Sequence, residues 1–93
     1  MLRHVVVWSM APGRADELDG LLASLEKLPG QIDEIVSLSA GRLVNKSPHD
    51  AIVCVDLADE AALERYRAHP AHQPVLEQLR DAAGNLVVAD YRL

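Results

Sequence analysis

Three stretches of this chain are apolar on both faces when laid out as strands, and that property narrows the possible folds more than any other. Val5-Val6-Val7-Trp8, Ala51-Ile52-Val53-Cys54-Val55 and Leu86-Val87-Val88-Ala89 are dominated by β-branched and other apolar side chains, which favour strands. Successive residues of a strand point to opposite faces. A sheet with one wet face therefore alternates apolar and polar residues, and these stretches do not. Both faces need a cover. Helices of the same chain supply one, and a second copy stacked sheet against sheet is the simplest supply of the other. The expected partner is the chain itself, as a homodimer.

The remaining sequence places helices between such strands. Leu2 to Met10 reads as the first strand, with His4, Val6, Trp8 and Met10 on one face and Arg3, Val5, Val7 and Ser9 on the other. Ala11-Pro12-Gly13 breaks it. Leu18, Leu21, Leu22, Leu25 and Leu28 recur at spacings of three and four, which predicts one helix over 14–28. Pro29-Gly30 ends it. A strand over 34–44, a turn at Asn45-Lys46-Ser47-Pro48 and a strand over 50–57 form an expected antiparallel hairpin.

Asp59 suits the N-cap of a helix over 60–68. Pro70 disfavours helical geometry at His69 and closes that helix. Pro74 fits the first turn of a further helix carrying Val75, Leu76, Leu79 and Ala83, with Gly84-Asn85 as its stop. The last strand is expected over 86–91. The order is β-α-β-β-α-β, its second helix broken at His69-Pro70-Ala71-His72. This predicts a single α+β domain over 1–93 with a ferredoxin-like, four-stranded antiparallel sheet and helices on one face.

A domain of 93 residues buries only a modest core, so a partner subunit helps it. The net charge of −5, without any basic stripe, argues against nucleic acid and anionic membrane surfaces. Apolar runs are too short to span a bilayer, and Met1-Leu2-Arg3 leads straight into a strand, so neither a membrane span nor a signal peptide is expected. Cys54 is the one cysteine. Its place within a strand predicts a buried, inert thiol, and the lack of disulfide partners points to the cytoplasm.

Groups suited to proton transfer gather around the helix break. His72 and Tyr66 are the candidate catalytic residues, because imidazole titrates near neutral pH and Tyr66 lies on the buried face of the preceding helix. The bland alternative has His72 bracing the turn and Tyr66 filling the core. His4, which shares a strand face with Trp8, is either a hydrogen-bonded core residue or pocket lining. His4, Trp8 and His69 are the candidate ligand contacts. His69 and His72 have a spacing that binds metal on a continuous helix, but Pro70 breaks it, so no metal site is expected. No cofactor is expected either: there is no phosphate-cradling glycine loop and no glycine-flanked serine nucleophile.

The chain resembles the stress-responsive α/β-barrel family, the Dabb domain. The residues that carry the resemblance are Arg3-His4-Val5-Val6, Pro29-Gly30, Asp59-Glu60-Ala61-Ala62-Leu63 with Tyr66, His69-Pro70-Ala71-His72, and Val88-Ala89-Asp90-Tyr91. It implies a ferredoxin-like homodimer whose two sheets form a central barrel. One branch of that family, the plant polyketide cyclase that makes olivetolic acid, drives an intramolecular aldol cyclisation with a histidine and a tyrosine. These fall on His72 and Tyr66, and a pocket histidine falls on His4. The resemblance thus implies His72 as general base α to a carbonyl and Tyr66 as its hydrogen-bonding partner. A pocket tyrosine of the cyclase falls at Leu21 and a pocket histidine at Ala51, where this chain departs. Two functions follow: a stress-associated dimer binding a small organic acid near His72 without turnover, or a cofactor-free cyclase or isomerase of β-keto or polyketide-like acids.

Overall fold

The computed structural model describes all 93 residues. Its strands are β1 (Leu2–Met10), β2 (Ile35–Arg42), β3 (Ala51–Leu57) and β4 (Ala83–Arg92), and its helices α1 (Leu18–Glu26), α2 (Glu60–Ala68) and α3 (His72–Ala82). The four strands form one antiparallel sheet in the order β2-β3-β1-β4. This is the ferredoxin-like arrangement anticipated from the element order, with the apolar strands β1 and β3 at its centre.

The two faces of the sheet differ. Leu2, Val6 and Trp8 of β1 and Ala51, Val53, Val55 and Leu57 of β3 are buried beneath the helices. They pack there with Leu18, Leu21, Leu25 and Leu28 of the first helical segment. On the opposite face Val5, Val7, Ile52 and Cys54 are only half-buried, and no element of the chain lies over them. Cys54 therefore departs from expectation. Its side chain belongs to the open face, paired across from Val5 and Ser39, and not to the core. Towards one end of that face Asp56 is buried against Arg3, whose Nε and Nη2 donate to its carboxylate at 2.7 and 3.0 Å.

Local chemistry explains two shifts of boundary. The single helix expected over 14–28 is α1 flanked by short 3-10 turns at Ala15–Glu17 and Leu28–Gly30. Pro29 lacks an amide hydrogen and cannot extend an α-helical ladder, while Leu18, Leu21, Leu25 and Leu28 of the apolar stripe stay buried and Leu22 is half-buried. The second helix starts as expected: Asp59 accepts a hydrogen bond from the Ala62 amide at 2.8 Å. The last strand starts at Ala83, three residues earlier than its sequence boundary, because pairing with Ser9 and Met10 takes over from the helix. Gly84 sits in the bulge this creates. A Cβ there would lie 3.2 Å from the Ala11 backbone, so the position that reads as a helix stop is a close approach between strands.

Candidate functional site

The site originates at Pro70. Its ring holds His69 extended, at φ −64° and ψ 134°, and so ends α2. The last carbonyls of a helix lack amide partners of their own, and here residues beyond the break supply them. The Gln73 side-chain amide donates to the Arg67 carbonyl at 2.7 Å, and His72 Nδ1 lies 3.4 Å from the same oxygen. A carbonyl only accepts, so this contact places the proton of His72 on Nδ1 and leaves Nε2 as an acceptor. His72 is also the first residue of α3, which puts Pro74 in the first turn of that helix.

Three rings from three elements meet here. The centroids of Tyr66 and His72 lie 4.4 Å apart, and those of His4 and Tyr66 5.9 Å apart in an edge-to-face arrangement. All are buried: His4 is 7%, Tyr66 2% and His72 8% exposed. Beyond His4 stands Asp90, its partner across the β1–β4 register. Asp90 Oδ1 is 2.5 Å from His4 Nδ1, and Oδ2 accepts from Arg67 at 3.0 Å. A carboxylate only accepts, so His4 Nδ1 is the donor of this pair.

The rings line a cavity of about 290 Å³ between sheet and helices. Its walls are otherwise mostly aliphatic, including Val6, Leu25, Val53, Val75, Leu79 and Val88, with Arg67 and Arg80 among the polar lining. Two of the five sequence candidates lie elsewhere. Trp8 is fully buried in the hydrophobic core and does not line the cavity, because its side chain is taken up by the covered face of the sheet. His69 braces the turn: its Nδ1 accepts from the Ala71 amide at 3.0 Å. Leu21 and Ala51, the positions where the plant cyclase carries polar pocket residues, are fully buried. Asp90, Arg67 and Arg80 are the polar residues that sequence reasoning missed. For Asp90 a signal existed, since the ferredoxin-like order sets β4 antiparallel to β1 and so brings its C-terminal end opposite His4. No group of three or more His, Cys, Asp or Glu side chains is placed to hold a metal ion, and no helix is long and apolar enough to cross a membrane.

Burial sets the protonation of this cluster. It pushes the Tyr66 phenol up to about 12, so at neutral pH the hydroxyl is a hydrogen-bond donor. Burial also holds the His72 imidazole below its usual range, with its bond to the Arg67 carbonyl opposing and the charges of His4, Arg80 and Arg67 reinforcing. The unfolded chain therefore binds a proton at His72 over a pH range in which the folded chain does not. Stability should fall as pH drops below about 6.5, and less steeply in His72→Gln. The carboxylates held low chiefly by arginine, Glu17, Asp56 and Asp81, act only at more acidic pH. Urea titrations on either side of that value check this; equal losses in both proteins would remove His72 as the source.

Fold and site define a class: a ferredoxin-like α+β domain with a ring-lined cavity between its helices and its sheet. The chain belongs to the family described as the stress responsive A/B barrel domain, Dabb, whose family model matches residues 2–93. An uncharacterized protein of Streptomyces coelicolor is 31% identical over 96 residues, covering 98% of both chains. A dimeric ferredoxin-like protein of unknown function from Thermobifida fusca superposes with a TM-score of 0.88 at 23% identity, over 99% of this chain and 90% of that one. A hydroxynitrile lyase from Passiflora edulis superposes with a TM-score of 0.89 at 14% identity, over 99% of this chain and 92% of that one. At these identities the two structures share the fold alone.

Proposed function

We propose that the protein is a homodimeric, cytoplasmic small-molecule-binding domain, whose ligand enters the cavity walled by His4, Tyr66 and His72. The observation that carries this reading is the cavity itself: aliphatic walls around three buried rings, two of them imidazoles. Small-ligand sites have this makeup, mostly apolar with a few convergent polar groups. The dimer reading rests on the open sheet face, where Val5, Val7, Ile52 and Cys54 have no cover within the chain, and on the dimeric Thermobifida fusca protein of the same fold. The test is a thermal-shift screen of wild type and His72→Ala against small β-keto, phenolic and aromatic acids. The expected result is a compound that raises the melting temperature of the wild type and not of the variant. Equal shifts in both proteins would place binding elsewhere.

One observation favours turnover as a second reading. Burial favours the neutral form of His72, and its Nδ1–H is committed to a carbonyl, while the protonated phenol of Tyr66 lies beside it. A base and a neutral donor side by side suit enolisation without a cofactor. Nε2 of His72 would take a proton from the carbon α to a carbonyl, and the electron pair would move to the carbonyl oxygen, which Tyr66 hydrogen-bonds. The enolate carbon would then attack a second carbonyl of the same ligand, and the imidazolium would return its proton to the new alkoxide. In heavy water, a β-keto acid bound by wild type should exchange its α-hydrogens faster than with His72→Ala. Identical exchange with both proteins would leave binding without catalysis.

A further inference from the structure

The cavity has one charged group that the fold itself does not use. Arg3, Arg14, Arg42, Arg65, Arg67 and Arg92 each pair with a carboxylate. Arg80 is the remaining arginine of the sequence, and it forms no such pair although acidic residues outnumber basic ones by 14 to 9. Its neighbour Asp81 is committed to Arg14 at 2.7 Å. Arg67, the other arginine at the cavity, is held by Glu64 and Asp90. Arg80 alone brings a guanidinium to the cavity wall with its donors uncommitted.

Helix geometry gives this group an orientation. His72, Leu76 and Arg80 follow one another at intervals of four residues on α3, so they form one stripe along the cavity. Helical side chains lean towards the N-terminus. The long Arg80 side chain therefore reaches back over Leu76 towards His72, and its charge is among those that disfavour protonation of that ring.

We propose that Arg80 is the acid-recognising residue of this cavity: it holds the carboxylate of an organic monoanion, whose apolar body lies along the aliphatic wall and whose far end meets His4, Tyr66 and His72. This assignment rests on the cavity being a ligand site, and it adds the charge of the ligand and the end by which it is held. A guanidinium offers a forked pair of donors that matches the two oxygens of one carboxylate. A single free arginine in a chain of net charge −5 suits one negative charge.

The experiment uses isosteric pairs. Hexanoate, benzoate and 3-phenylpropanoate are titrated calorimetrically against their carboxamides, with the wild-type protein and with Arg80→Gln. Arg80 is exposed and makes no ion pair, so the variant keeps the fold. The expected result is that an acid binds the wild type about tenfold more tightly than its amide, a charge-assisted hydrogen bond exceeding a neutral one by that order, and that Arg80→Gln abolishes the difference while binding the amide as before. Equal affinities of acid and amide for the wild type would overturn the Arg80 assignment and leave the cavity reading intact. So would an acid preference that survives in the variant. Binding of none of the six compounds would overturn both.

Discussion

Replacing Trp8 by alanine should destabilise the protein by about 3–5 kcal/mol, the range for removing a large aromatic side chain from a core that cannot fully collapse. Trp8 heads the fully buried side chains by volume. It lies on the central strand β1, between Ala51 of β3 and Leu86 of β4, so the void would open at the junction of sheet and first helical segment. For a domain of this size each kcal/mol moves the melting temperature by about 4–8 °C, which puts the expected loss above roughly 10 °C. Trp8→Phe should cost much less. It keeps most of the volume and removes an indole N–H that is buried without a hydrogen-bond partner. Urea unfolding at fixed protein concentration checks both, since the stability of a dimer depends on concentration. A loss below about 1 kcal/mol for Trp8→Ala would contradict its core position.

Val7→Glu should leave the chain folded and convert it to a monomer. Val7 is half-buried on the open face of the sheet, in a row formed across the strands with Val87 and Ile52. In a dimer built sheet against sheet, two-fold symmetry would bury the substituted carboxylate twice, each without a countercharge. Breaking apart then costs less than desolvating both groups. In the monomer the same side chain reaches water, so helix and strand content should persist. Val44→Glu is the matched control, because Val44 lies fully exposed beyond the end of β2. Sedimentation velocity at micromolar concentration would read the outcome. A dimeric Val7→Glu protein would mean that this face is not the contact.

Val7→Glu probes a feature that was legible in the sequence, the apolar character of both sheet faces, whereas the core position of Trp8 was not. The lack of apolar–polar alternation marked β1 and β3 as two-faced, Asp59 marked the start of α2, and Pro70 marked its end; each depends on chemistry within a few residues. The site was legible only in part. Tyr66 and His72 are six residues apart and share a proline-defined break, so their meeting follows from local geometry. His4 joins them because it faces the helices from a central strand.

The sequence by itself determined the order of the elements, the proline-broken second helix and the apolar character of both sheet faces, because periodicity, capping and proline sterics act over one or two helical turns. Only the tertiary structure decided that Asp90 holds His4 across a separation of 86 residues, that Trp8 is core and His69 a turn brace, and that Arg80 stands unpaired at the cavity. It also decided that Cys54 lies on the open face. These outcomes depend on strand register and on which side chains compete for the same space or the same counterion, and those competitions exist only once distant parts of the chain have been brought together.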